Sequence, residues 1–215
     1  TRPDLVTLDL SMPVMDGLTT LKHLMVLRPT PTLIVSSFAT EESHLTFECL
    51  RYGAAGFVTK PSALQGLPAG EFQDEVARQL IRAARIDSSR LQLNRLRPGL
   101  PSPRLVGPSK PRYLLVVVAG RSGIAPVLGL LNAAPCHPEL AVVLVLDLPP
   151  RVLLSFSEYA ARFSAVRLSA QGFQGLLRGG AATLVAFDEP LLAVRAPEGV
   201  RLRTVAAPTG ATPES

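Results

Sequence analysis

Three short apolar runs, each closing on a polar residue, constrain this chain more than anything else in it. Asp4–Leu10 holds Asp9 near its end, Thr32–Ser36 ends on Ser36, and Gly56–Thr59 is closed by Lys60-Pro61. Runs of this length and branching suit buried parallel strands. Between the first two, Asp16-Gly17 reads as a turn and Leu18–Leu27 has helical spacing. Between the second and third, Thr40 can cap a helix running to about Arg51, with Glu41 and Glu42 in its first turn, and Gly53 ends it. Strand–helix alternation predicts an α/β fold with a parallel sheet and helices on both faces. In such sheets ligands bind at the carboxyl ends of the strands, where Asp9, Ser36 and Lys60 all fall.

Further along, Glu71–Ala84 places Phe72, Val76, Leu80, Ile81 and Ala84 on one helical face. Residues 87–111 lose periodicity and collect five prolines, Pro98, Pro101, Pro103, Pro108 and Pro111, as expected of a linker. The expected division is therefore residues 1–86, a linker at 87–111, and a second α/β domain at 112–215. That second part opens with a strand at Tyr113–Ala119, a Gly-Arg-Ser-Gly turn, and a helix from about Ala125 with Pro126 near its start. A strand at Leu140–Leu146, a helix near Ser155–Phe163 and a short strand at Val166–Leu168 follow. Ala182–Phe187, Leu191–Arg195 and Val200–Val205 read as short antiparallel strands, with turns at 188–190 and 197–199, and the polar tail at 208–215 as loose.

The first group of polar residues suits phosphoryl chemistry. A carboxylate nucleophile needs an ammonium to neutralise developing charge and a hydroxyl to donate to a phosphoryl oxygen. The segments "PDLVTLDLSMPVMDG", "IVSS" and "GAAGFVTKP" occur in order, and they closely resemble bacterial response-regulator receivers, which are flavodoxin-like. The resemblance implies Asp9 as phosphoacceptor and metal ligand, Ser36 as switch hydroxyl, Phe57 as the coupled aromatic and Lys60 as the phosphate-contacting lysine. It also implies Mg²⁺, held by an acidic pair that follows the first strand of a receiver. This chain opens at what resembles the third strand, so the receiver is expected to be partial and to be phosphorylated poorly or not at all.

The second group is centred on Ser122, in Gly120-Arg121-Ser122-Gly123-Ile124-Ala125-Pro126. A hydroxyl in a strand-to-helix turn lies beside free backbone N–H groups, which favour an oxyanion. Taken alone, the turn also suits a helix cap or a phosphate loop, although it lacks the lysine of a Walker motif. The order of segments resembles chemotaxis protein-glutamate methylesterase regulators, whose output domain carries Gly-x-Ser-Thr-Gly-Gly and a later His-Met-Pro-Pro. The resemblance puts Ser122 at the nucleophile and Asp147, in Asp147-Leu148-Pro149-Pro150, where the family has its histidine. A carboxylate with a reference pKa of about 4 is a weak base for this task. Gly123-Ile124-Ala125 replaces Thr-Gly-Gly, and the chain ends before the segment that resembles the family's triad aspartate. The second domain is thus expected to be a truncated methylesterase type with a degenerate site. Asp147 also reads as a cap for the helix after Pro149-Pro150. His137 precedes the strand leading to Asp147 and is expected at the opposite edge, while His23 and His44 fall on helices.

Composition excludes other classes. The net charge is +5, and nine of the 22 basic residues lie between Arg78 and Arg112, but no nucleic-acid-binding motif accompanies them and there is no Trp. The longest apolar runs are too short to cross a bilayer. Cys49 and Cys136, the only cysteines, read as reduced, in keeping with the cytoplasm. The resemblance implies a histidine kinase and a methyl-accepting chemoreceptor as partners, with phosphorylation controlling hydrolysis of receptor methyl-glutamate esters. The alternative is a non-catalytic phosphorelay module that binds a kinase or receptor.

Overall fold

The computed structural model describes residues 2–37, 40–60, 69–86, 110–133, 137–170, 175–187 and 191–204. The linker expected at 87–111 lies almost wholly outside them, as do the tail, the turn at 188–190 and Cys136. Contacts divide the chain into two units: Thr1–Pro98 with Arg121–Asn132, and Gly99–Gly120 with Ala133–Ser215.

The first unit is built on a parallel sheet of β1 (Val6–Asp9), β2 (Thr32–Ser36) and β3 (Gly56–Thr59), in that spatial order. Two crossover helices connect the strands, α1 (Gly17–Leu27) and α2 (Thr40–Arg51), and α3 (Ala69–Ala84) packs on β2 and β3. Asp16 caps α1, its carboxylate accepting from the Thr19 N–H at 2.7 Å. Pro29 follows the last turn of α1, where no further backbone donor is available. Gly53, at φ +98°, ends α2 in a conformation that favours glycine. Leu8, Leu21, Leu33, Ile34, Phe47 and Phe57 form the core, all but Leu8 with no exposed surface.

The buried line of α3 differs from the expected one. Ala83 and Gln79 are buried, whereas Ile81 is 57% exposed. Gln79 tolerates burial because its amide donates to Glu75 Oε1 at 2.9 Å.

Cys49 on α2 is fully buried, and burial pushes its thiol up to about 12. An acid whose folded-state pKa is raised contributes stability below its unfolded pKa and loses it as pH rises towards the folded value. The first unit is therefore expected to weaken from about pH 9 upward. Native protein is expected to resist iodoacetamide at Cys49 at pH 8, reacting there only on unfolding; rapid native alkylation, read by mass spectrometry, would contradict the burial.

The second unit contains a four-stranded parallel sheet in the order β4 (Tyr113–Ala119), β5 (Leu140–Leu146), β8 (Ala181–Ala186), β6 (Arg167–Ser169). A smaller antiparallel sheet joins β7 (Gly175–Leu176), β10 (Gly199–Thr204) and β9 (Leu191–Ala196). One face of β5 and β8, through Ala141, Val143 and Val185, packs with Leu177 and Leu202 from the region of the smaller sheet. Helix α5 (Pro150–Ala161) packs on β6 and β8 and buries Val152, Leu153, Phe156 and Tyr159.

Two expectations are corrected. Ala181–Ala186 is not an antiparallel strand: it lies parallel between β5 and β6. Its Leu184, Val185 and Ala186 are all buried, as suits an interior strand covered on both faces. The hairpin of β9 and β10 is antiparallel as expected. Conversely β4, whose apolar run Leu114–Ala119 suits a buried parallel strand, is the edge strand, and among the described residues it pairs only with β5. Tyr113, Leu114, Leu115, Val116 and Val118 are exposed.

No helix among the described residues is long and apolar enough to cross a membrane.

Candidate functional site

Parallel pairing sets the site. Asp9 on β1 stands opposite Val35, and Ser36 on β2 opposite Thr59, so the three strands end together. The Lys60 backbone N–H donates to the Ser36 carbonyl at 2.7 Å, which fixes the residue just past β3. From there Lys60 Nζ reaches Asp9 Oδ2 at 2.5 Å. Asp9 Oδ1 accepts from the Ser11 N–H at 3.2 Å. The bond from Lys60 holds the Asp9 carboxyl below the usual carboxylate range, against a smaller opposing effect of burial and with help from the Ser11 N–H. Its folded-state pKa being lowered, the pair contributes stability above the ordinary carboxylate range and loses it as acid titrates Asp9. The Asp9 side chain keeps 37% of its surface and that of Lys60 38%, so solvent screening keeps this contribution small and leaves both reachable by a reactant.

The loop after Asp9 folds back on its strand. The Gly17 N–H donates to the Leu10 carbonyl at 3.1 Å and the Met15 N–H to the Pro13 carbonyl at 2.8 Å. Gly17 is buried, and a Cβ there would meet the Asp9 carbonyl oxygen at 2.3 Å and Leu10 Cα at 2.8 Å. Val14, wholly exposed, takes φ +70°, a left-handed conformation costing a residue with a side chain about 1–2 kcal/mol.

Ser36 is fully buried at the end of β2, and Phe57 is fully buried on β3. Ser122 lies in a single 3₁₀ turn, Arg121–Gly123, that leads into α4 (Ile124–Ala133). Asp147 follows β5, its N–H donating to the Ala119 carbonyl at 3.0 Å. The position before α5 belongs to Pro149, with no side-chain capping bond, so the cap expected from Asp147 is not what starts that helix. Asp9 and Lys60 are thus brought together, whereas Ser122 belongs to the first unit and Asp147 to the second. His137 precedes β5, its carbonyl accepting from Leu140 N–H, and His23 and His44 sit on α1 and α2.

Sequence reasoning missed Gly17 and Val14. The Asp16-Gly17 turn signal hinted at the first. Nothing in a valine signals a left-handed backbone.

The family model of the response regulator receiver domain matches residues 1–69. Residues 1–69 belong to the receiver family. The chain is also similar to protein-glutamate methylesterase/protein-glutamine glutaminase of Pyrococcus abyssi, 34% identical over 161 residues, covering 73% of this chain and 43% of that one. The same-named protein of Caldanaerobacter subterraneus is 34% identical over 166 residues, covering 73% and 45%. That of Geobacillus kaustophilus is 31% identical over 184 residues, covering 84% and 52%. The chain spans about half the length of these relatives. Among solved structures, the response regulator domain of Thermotoga maritima CheB is 35% identical over 40% of this chain and 63% of that one, with a TM-score of 0.35.

The receiver family uses Mg²⁺ for phosphorylation. Among the described residues no group of three or more His, Cys, Asp or Glu is placed to hold a metal ion. Asp9 itself is engaged by Lys60 and Ser11. Asp9 would supply one carboxylate to such an ion, and Mg²⁺ is usually bound through one or two carboxylates beside the substrate phosphate.

Proposed function

We propose that this chain is a chemotaxis-type response regulator of the methylesterase kind, working in the cytoplasm, in which the receiver takes a phosphoryl group at Asp9 and the esterase-like part, residues 112–215, has lost its base. The single observation that carries the reading is the Asp9–Lys60 pair at the strand ends. An ionised carboxylate attacks phosphorus, the bond to the kinase histidine nitrogen breaks, and an acyl phosphate forms on Asp9. Lys60 exchanges its carboxylate partner for the phosphoryl oxygens and offsets their charge. Ser36 serves as the switch hydroxyl and Phe57 as the coupled aromatic. The partners are a histidine kinase and a methyl-accepting chemoreceptor.

Ser122 occupies the nucleophile position and Asp147 the place of the base. Without an imidazole, the loss is about 10²–10⁴-fold in hydrolysis of receptor methyl-glutamate esters. The chain therefore acts through binding more than through catalysis.

The test is phosphotransfer from a labelled histidine kinase. Slow loss of kinase label to this chain is expected, absent in Asp9→Asn. Equal behaviour of chain and variant would overturn the phosphoacceptor assignment; fast, Mg²⁺-dependent transfer would show that the residues present do form a metal site.

A further inference from the structure

The loop after Asp9 carries two features that are unfavourable in the free protein. The Met15 N–H donates to the Pro13 carbonyl at 2.8 Å, and Val14 between them takes φ +70°. A bond from the third residue of a turn back to the first, across a positive φ, makes a γ-turn of the rare, strained hand. Among the described residues Val14 is the only one besides glycines with a positive φ. Its side chain is also wholly exposed, and Met15 beside it is 45% exposed. Glycine or asparagine would take this φ with less strain and would leave no apolar group in water.

Strained residues persist where their surroundings over-determine them, and they gather at sites of function. The surroundings here do hold the loop. The Ser11 N–H donates to Asp9 Oδ1 at 3.2 Å, and the Gly17 N–H to the Leu10 carbonyl at 3.1 Å. The Asp16 carboxylate accepts from the Thr19 N–H at 2.7 Å and from its hydroxyl at 3.1 Å. Gly17 lies against the Asp9 carbonyl oxygen, and Val14 is three residues from Gly17. Three residues span at most about 11 Å, so Val14 stands close to the end of β1. A specific interface covers about 800 Å² on each partner, a disc roughly 16 Å in radius. A small phosphoryl donor can reach Asp9 without touching Val14, whereas a protein that brings a histidine nitrogen to Asp9 covers it.

We propose that Val14 and Met15 are an apolar docking knob for the protein that carries the phosphohistidine, and that they help to set which donor Asp9 accepts. The proposal deepens the reading of Asp9 as phosphoacceptor and rests on it. The donor surface beside its histidine is accordingly apolar. The strained turn holds Val14 outward before the donor arrives, so less ordering is left to the moment of binding. Both are specificity-determining residues, and neither contacts a reacting atom.

Two donors separate docking from chemistry: a histidine kinase, and acetyl phosphate, which passes its phosphoryl group to a carboxylate and leaves as acetate. Val14→Asn keeps a residue at home with positive φ and removes the apolar side chain. Met15→Gln does the same at a position without positive φ. Each is expected to weaken binding of the full chain to the kinase, measured by titration calorimetry, about tenfold and to slow transfer from it by as much. Acetyl phosphate labelling is expected to stay within about twofold of the parent, and Val14→Ile to bind the kinase as the parent does. The urea midpoint of Val14→Asn should be no lower than the parent's. Unchanged kinase binding in both variants, equal losses with the two donors, or no binding of the parent to the kinase would overturn the knob. Absence of Asp9 labelling by either donor in the parent would remove the phosphoacceptor reading, while the calorimetry still decides whether the loop docks the kinase.

Discussion

Gly17→Ala is expected to destabilise the first unit by about 3 kcal/mol, near the upper end for an added methyl in a packed site. Both atoms that a Cβ would strike, the Asp9 carbonyl oxygen and Leu10 Cα, belong to the backbone, so no side chain can rotate away. Relief requires β1 and the start of α1 to part, and Asp9 moves with β1. The variant should therefore lose phosphotransfer as well as stability. Gly70, on α3, is the control: nothing lies within 4 Å of its would-be Cβ, so Gly70→Ala should add about 0.5–1 kcal/mol by reducing the freedom of the unfolded chain. Urea melts followed by circular dichroism give both values. A Gly17→Ala midpoint equal to the parent's would show that the loop does not approach β1 so closely.

Phe156→Ala is expected to cost the second unit about 3–5 kcal/mol, the usual range for emptying a buried phenylalanine site. Phe156 and Tyr159 have no exposed surface, and Val152, Leu153 and Ala160 line the same helix face. With α5 covering β6 and β8, little is free to collapse into the void. Leu154, on the same helix but 57% exposed, gives the contrast: Leu154→Ala should change stability by less than about 0.5 kcal/mol. Equal losses in the two variants, measured by denaturant unfolding, would contradict the assigned face of α5.

These contrasts show what sequence reasoning can and cannot reach. The strands at 32–36, 56–59, 113–119 and 140–146 were legible to the residue because their apolar runs are short and end at Gly, Pro or a polar residue. The helix starts were legible to within a few residues, except that of α5, which begins at Pro150 and not near Ser155. The partner of a strand was not legible. Apolar runs such as Ala181–Ala186 and Tyr113–Ala119 look alike, yet one lies in the middle of its sheet and the other at its edge, because pairing depends on distant segments.

The site followed the same division. The convergence of Asp9 and Lys60 could be expected from strand ends alone, since parallel neighbours finish at one edge. The left-handed backbone of Val14 could not, because a β-branched residue rarely takes it. Gly17 lay between: its turn was evident, but its closeness to the Asp9 carbonyl depends on how the loop folds back.

The most direct measurement is methanol release from a methylated chemoreceptor, comparing this chain with Ser122→Ala. With a carboxylate at the base position, release that depends on Ser122 is expected to lie about 10²–10⁴-fold below that of an enzyme with the imidazole, too little to distinguish the chain from Ser122→Ala. Release by the chain that disappears in Ser122→Ala would contradict this, and would mean that Asp147 or another group takes the serine proton.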